Sequence, residues 1–499
     1  MRRLLHGWSA NFVLIILGVA QQLVLVPVFL HFWSSDTLAA WLAIYAAGSL
    51  IVIADCGLQS RAINRFLAFR SCADCDGRTG NFYHGVMRAY LNLVLLLSAV
   101  VVAVVELLPP STMLGFKTTA SFDSAMLVML VGMLFTLPTN LVSALYRVRG
   151  KFGRITWLLC GDLLLIQIAQ LVALALFGSL FAVAIAYSAI QLLFGVFLIA
   201  IDAPRLFPFL RRRRCVWSWR WGIGQLRRAI PFGVANAAEL ALMNLPVLLV
   251  SAFVVDRVAV AQWGLTRVVA SLVRGLCSQM VTPMAAELGH DYAVGDHERL
   301  RRHYAYGSVL VTALASAVVA GLLSFWADFF ALWTRGGIPL DTSLAVTLLL
   351  GAAAVAPSLL ALGFANHSNR ADLLVRTKGL HLIVFLGLSV VLIRSLGPLG
   401  AALAIVASDL AIQFGLLAIL VMKQTLHDTF RHVAFLLLVA VIIVVPGWAL
   451  GTMIAAIAPG SGGAHFLYEC AIWLAIVGVI ASPLLKPNLR ARLIELIPS

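Results

Sequence analysis

Charge is what this chain has little of. Of its 499 residues, 11% are Asp, Glu, Lys or Arg and 62% are hydrophobic, where soluble domains carry about 25% charged residues. The clearly polar stretches are loops too short to bury a core, which excludes a separate soluble domain. Cysteine is sparse as well. Cys56, Cys72, Cys75, Cys160, Cys215, Cys277 and Cys470 give no disulfide framework. Cys72 and Cys75 form a lone C-x-x-C with no second pair and no spaced histidines, so they read as loop cysteines rather than a metal site. The phosphate loop G-x-x-x-x-G-K-[ST] is missing, as are H-E-x-x-H and G-x-S-x-G, which argues against ATP-driven pumping by this chain alone and against zinc or serine hydrolysis. A membrane glycosyltransferase or polymerase would carry catalytic groups on a substantial outer loop. The longest one, 327–342, holds Asp328, Arg335 and Asp341 only. An enzyme is not expected, and no cofactor is implied.

What the chain does have is apolar runs of the length that crosses a bilayer core, roughly 17–25 residues. Fourteen of them lie between residues 11 and 485. The first, 11–32, is longer than a signal-peptide core and ends at His31-Phe32-Trp33 rather than at a cleavage site of small residues, so it reads as the first helix. Sorting the 36 Lys and Arg residues by side of the membrane puts 30 on the side of the N-terminus. Lys117, Arg257, Arg335 and Arg394 lie opposite, and Arg267 and Arg274 lie within the apolar runs. Positive residues stay inside, so both termini are expected in the cytoplasm. The fold class is an all-α polytopic membrane protein.

The halves repeat. Pro27 matches Pro246, Gly132 matches Gly351, Pro138 matches Pro357 and Gly178 matches Gly397, all at an offset of 219 residues. Trp41 matches Trp263 at 222. Six crossings return a chain to its starting side, so the copies have the same orientation. The domains read as an N-lobe of six helices (1–201), a linker (202–229), a C-lobe of six helices (230–425), and helices thirteen and fourteen with a tail (426–499). The matched prolines are expected at helix kinks. In the linker, Arg211–Arg214 precede Trp217, Trp219 and Trp221. Basic residues interleaved with tryptophan can bind nucleic acid, but beside a bilayer they read as an interfacial segment on anionic membrane lipids.

The candidate site is the hairpin 230–287, where two apolar runs flank Val255-Asp256-Arg257 and carry Glu239, Arg267 and Arg274. Placing a charge at membrane depth costs roughly 2.5–3.5 kcal/mol, so such residues face a protein interior or a cavity and mark function. Arg267 and Arg274 are two turns apart and leave one helix face. Their forked guanidinium groups suit phosphate or carboxylate. Glu239 and Arg274 lie equally far from the turn, so Arg274 either joins the anion site or is neutralised by Glu239. Asn236, Asn244, Gln21 and Gln22 could line the same cavity or bond neighbouring helices. Asp55 reads as a partner of Arg61 or of a neighbouring helix, or else as an ion-coupling group. Asp162 and Asp409 are similarly open, and Asp162 lies near enough to its helix start to favour the helix dipole. The counterpart of Arg267 in the first half is Tyr45, so the charge is one-sided.

The stretch from Trp41 to Asp55-Cys56-Gly57-Leu58, the Pro246, Asp256 and Trp263 hairpin, Met280-Val281-Thr282-Pro283 and Gly397-Pro398-Leu399-Gly400-Ala401-Ala402 resemble the oligosaccharide-lipid flippases (Wzx type, polysaccharide transporter branch) of the multidrug/oligosaccharidyl-lipid/polysaccharide exporter superfamily. The resemblance covers the first twelve helices. It implies two lobes, alternating access, and export of an undecaprenyl-diphosphate-linked oligosaccharide from the inner to the outer leaflet of the bacterial cytoplasmic membrane for O-antigen, capsule or exopolysaccharide. Arg267 and Arg274 match the cationic cavity that such an anion needs. Glycosyltransferases and a polysaccharide polymerase are the implied partners, and nucleic acid is not. A multidrug antiporter of the same superfamily stays open as an alternative, although 11–32 lacks the carboxylate of its proton-coupled members. So does a lipid II flippase, with which the chain shares the extra pair of helices.

Overall fold

The computed structural model describes residues 2–69, 77–211, 218–368, 371–457 and 462–482. Cys72, Cys75, Arg212–Arg214 and Trp217 lie outside the described residues. The chain is 90% helical with no strand among the described residues, and 14 helical stretches are long and apolar enough to cross a membrane, from Phe12–Phe32 to Gly463–Ile480. The expected all-α polytopic architecture is the one observed.

Two compact units divide at Arg257 and Val258. The first holds α1 (Arg2–Phe32), α2 (Ser35–Ile51), α3 (Leu58–Phe69), α4 (Arg78–Leu107), α5 (Pro110–Met113), α6 (Phe122–Leu134), α7 (Leu137–Val148), α8 (Phe152–Phe177), α9 (Leu180–Val196), α10 (Ala203–Leu206) and α11 (Trp219–Phe253). The second holds α12 (Arg257–Val294), α13 (His297–Ser324), α14 (Trp326–Thr334), α15 (Thr342–His367), α16 (Ala371–Leu396), α17 (Pro398–Ser408), α18 (Ile419–Thr425), α19 (Thr429–Ile457) and α20 (Gly463–Ala481). The seventh span, in α11, thus falls in the first unit, whereas the sequence repeat assigns it to the C-lobe. The packing reason is close contact of α11 with α2 and α3, which two glycines allow: a Cβ on Gly57 would lie 2.4 Å from the Gly233 nitrogen.

Local sequence sets the helix ends. Ser34, Ser179, Asp296 and Asp341 each accept a hydrogen bond from the backbone N–H three residues on, satisfying a donor that the first turn leaves free. Gly178 closes α8 at φ +61. The matched prolines do not act alike. Pro138 falls just after a break at Phe135 and Thr136 that splits one span into α6 and α7, while Pro27 and Pro357 lie inside continuous helices.

The matched glycines do act alike. A Cβ on Gly132 would meet the Ser188 hydroxyl at 2.4 Å, and one on Gly351 would meet Val406 at 2.3 Å. In each unit the fourth span of the repeat therefore lies against the sixth across a bare backbone. Small residues serve this way where lipid removes the hydrophobic drive for helix association. The thirteenth span uses the same device, since Gly447 and Gly451 of α19 face Ala320 and Ser324 of α13. The Trp473 indole of α20 donates to the Gly447 carbonyl at 2.9 Å.

Candidate functional site

In the second unit three helices meet at one buried carboxylate. Asp409 opens a π-helical segment, Asp409–Ala418, that continues α17, and its side chain is 6% exposed. Arg274 of α12 donates to it through both nitrogens of its fork, Nη1 to Oδ2 at 2.8 Å and Nη2 to Oδ1 at 3.3 Å. His381 of α16 places Nε2 3.2 Å from Oδ1 and is itself buried. Such short π segments recur at functional positions because the extra residue per turn turns side chains away from the α-helical register. One turn further along it, Gln413 donates to the Ser358 hydroxyl of α15 at 2.8 Å.

Arg274 is not fully committed. Its side chain keeps 32% exposure, and Asp409 holds it from one side only. Two turns away on α12, the Arg267 guanidinium lies over the ring of the fully buried Trp263 at 5.4 Å, a cation–π contact. The two guanidinium groups are within electrostatic reach of each other and of Asp409. Among the described residues, two positive charges and one carboxylate come together on this face of α12. In a low-dielectric surround, that excess attracts an anion far more strongly than it would in water.

The first unit places different chemistry at the repeat-related positions. Tyr45 of α2 and Tyr187 of α9 meet edge-on with ring centroids 6.1 Å apart. Asp162 of α8 is 7% exposed, lies within electrostatic reach of Tyr187, and leaves Oδ1 without a hydrogen-bond partner. The offset of 219 residues relates Asp162 to His381. Asp162 stands ten positions after the start of α8 at Phe152, beyond the first turn to which a helix dipole reaches. The dipole reading therefore fails, since Asp162 lies more than two turns inside α8.

The other expected residues are spread over the first unit. Glu239 is half-buried and Asn236 exposed on α11. Asn244 donates to the Leu240 carbonyl of its own helix at 3.1 Å. Gln21 is half-buried and Gln22 exposed on α1. Asp55 accepts from the Tyr90 hydroxyl of α4 and from the Gln59 N–H at 3.3 Å, so its partner is a neighbouring helix and not Arg61. Within its own unit, Arg274 pairs with Asp409. Glu239 and Arg274 belong to different units, whereas Asp409 lies in the unit of Arg274. Sequence reasoning passed over His381 because a histidine adds no formal charge to an apolar run, although its repeat relation to Asp162 was there to find. Elsewhere in the second unit, a cavity of about 230 Å³ is lined by Asp328 of α14 and by His465, Phe466 and Glu469 of α20.

The fold resembles that of solved membrane transporters, some of them named as members of the MOP superfamily. No family model matches the sequence, and no curated protein does. The likeness is structural. The lipid II flippase MurJ, in an inward closed conformation, superposes with a TM-score of 0.74 over 96% of this chain and 99% of its own, at 13% identity. An inward-facing multidrug resistance MATE family transporter of the MOP superfamily gives 0.65 over 85% and 95%, also at 13% identity. A MOP superfamily transporter from Pyrococcus furiosus gives 0.50 over 87% and 94%, at 14% identity.

Proposed function

We propose that the protein is a flippase that carries an anionic lipid-linked substrate across the bacterial cytoplasmic membrane, by alternating access. The substrate is an undecaprenyl-diphosphate-linked oligosaccharide destined for surface polysaccharide, and both termini face the cytoplasm. The observation that carries this reading is the cationic face of α12. Arg267 and Arg274 lie within a membrane-spanning helix, and the buried Asp409 fixes the fork of Arg274 while leaving net positive charge. A diphosphate matches, in charge, two guanidinium groups that leave one helix face two turns apart. Asp409 and His381 act as positioning groups for Arg274.

Arg267→Ala in the producing cell is expected to abolish surface polysaccharide while the protein stays in the membrane at wild-type abundance. Normal polysaccharide in that variant overturns the anion site. A second reading, a flippase for lipid II, has its own support: the likeness to MurJ takes in 99% of that chain and 96% of this one. Reconstituted protein offered the two lipid-linked substrates separately distinguishes the readings by which one changes leaflet.

A further inference from the structure

The first unit holds a second concentration of positive charge that the α12 site does not use. Beyond α2 the chain turns through Cys56 and Gly57, both at positive φ, and α3 starts backbone to backbone against α11 at Gly57 and Gly233. Around that crossing, Arg61 and Arg65 stand one turn apart on α3, and Gln225 and Arg228 one turn apart on α11. Arg61 donates from Nε and Nη2 to the same oxygen, Oε1 of Gln225, at 2.9 and 2.7 Å. Gln225 is 7% exposed, so a buried amide aims the guanidinium. Arg65 and Arg228 are exposed and within electrostatic reach of Arg61.

The partner that orients Arg61 is neutral, so the cluster keeps its positive charge. The nearby carboxylate of Asp55 is already taken up by Tyr90 and the Gln59 N–H. Burial, then the charges of Arg65 and Arg228, push the Arg61 guanidinium below its ordinary value. Like charges one turn apart on a helix repel, and a set of them with no carboxylate partner among the described residues suits an anion. All four residues lie outside the candidate membrane spans, Arg61 and Arg65 just after the span ending at Asp55 and Gln225 and Arg228 just before the one starting at Asn236, where a lipid headgroup would be met.

We propose that Arg61, Arg65 and Arg228 form a second anion site, at the membrane surface, that takes the phosphate or diphosphate of a lipid headgroup. Guanidinium groups from two helices, one of them aimed by a buried amide, suit phosphate oxygens. Two sources carry this chemistry: the diphosphate of the lipid-linked substrate, which rests on the proposed function, and the headgroup of an anionic phospholipid, which does not.

The test uses full-length protein in phosphatidylcholine nanodiscs, with binding of polyprenyl diphosphate and of phosphatidylglycerol measured separately. The Arg65→Gln/Arg228→Gln variant changes two exposed residues and keeps the Arg61–Gln225 contact. It is expected to weaken binding of at least one probe by about tenfold or more, equivalent to 1.4 kcal/mol, while the exposed control Arg220→Gln leaves binding unchanged. Loss confined to polyprenyl diphosphate assigns the site to substrate, and loss that includes phosphatidylglycerol assigns it to the bilayer's own headgroups. Unchanged affinity for both probes, or an equal loss in the Arg220 control, overturns the proposal. Because the readout is binding, a failure of Arg267→Ala to block transport leaves this result standing on its own.

Discussion

At the scale of single residues, the second unit depends on Asp409. It pairs with Arg274 and also receives His381. Removing one member of a buried ion pair costs about 3–5 kcal/mol when the other is left fully buried. Arg274 keeps a third of its side chain exposed, so a smaller loss of about 1–3 kcal/mol is expected for Asp409→Asn, within the cost of an unsatisfied partly buried donor. Thermal unfolding in detergent checks it, and the double variant Asp409→Asn/Arg274→Gln is expected to recover part of the loss. If the double variant is as unstable as the sum of the singles, the two side chains are not coupled. The arginines were legible in the sequence because a charge in an apolar run stands out. Their partner was not, since Asp409 is 135 positions from Arg274 in the chain and only folding brings them within 2.8 Å.

At the scale of elements, backbone contacts at glycine decide which helices touch. A Cβ on Gly451 would lie 2.1 Å from the Ser324 side chain, whereas Gly224 of α11 has nothing within 4 Å. Gly451→Val is therefore expected to push α19 off α13 and to destabilise by about 1–3 kcal/mol, the range for overpacking. Gly224→Ala is expected to be neutral or to stabilise by up to about 1 kcal/mol through helix propensity. Melting temperatures of the two purified variants test the contrast, and a Gly451→Val protein as stable as wild type removes the contact from consideration. The G-x-x-x-G spacing of Gly447 and Gly451 is a readable association motif. What the spacing does not give is the opposing face, Ala320 and Ser324. The matched prolines show the converse limit: equal sequence positions, yet a helix break beside Pro138 and unbroken helix at Pro357, because neighbouring packing determines whether freed backbone groups are satisfied.

At the scale of the whole molecule, the distribution of Lys and Arg predicts the topology, with 30 of 36 on the side of the termini. On a background without native cysteines, a thiol introduced by Lys117→Cys is expected to react with a membrane-impermeant maleimide in intact cells, and one introduced by Arg220→Cys only after permeabilisation. The reverse labelling pattern would invert the orientation and with it the direction of transport. Sequence alone carried the helical class and the number of runs long and apolar enough to cross a membrane, because these follow from local hydropathy; the doubled plan and two arginines at membrane depth are expectations from a fixed offset and from charge within an apolar run. Only the tertiary structure decided that α11 packs with the first unit, that Asp409 receives both Arg274 and His381, and that Gln225 orients Arg61. These are contacts between segments far apart in sequence, set by which glycines let two backbones approach and which buried polar groups need partners, and no local pattern records them.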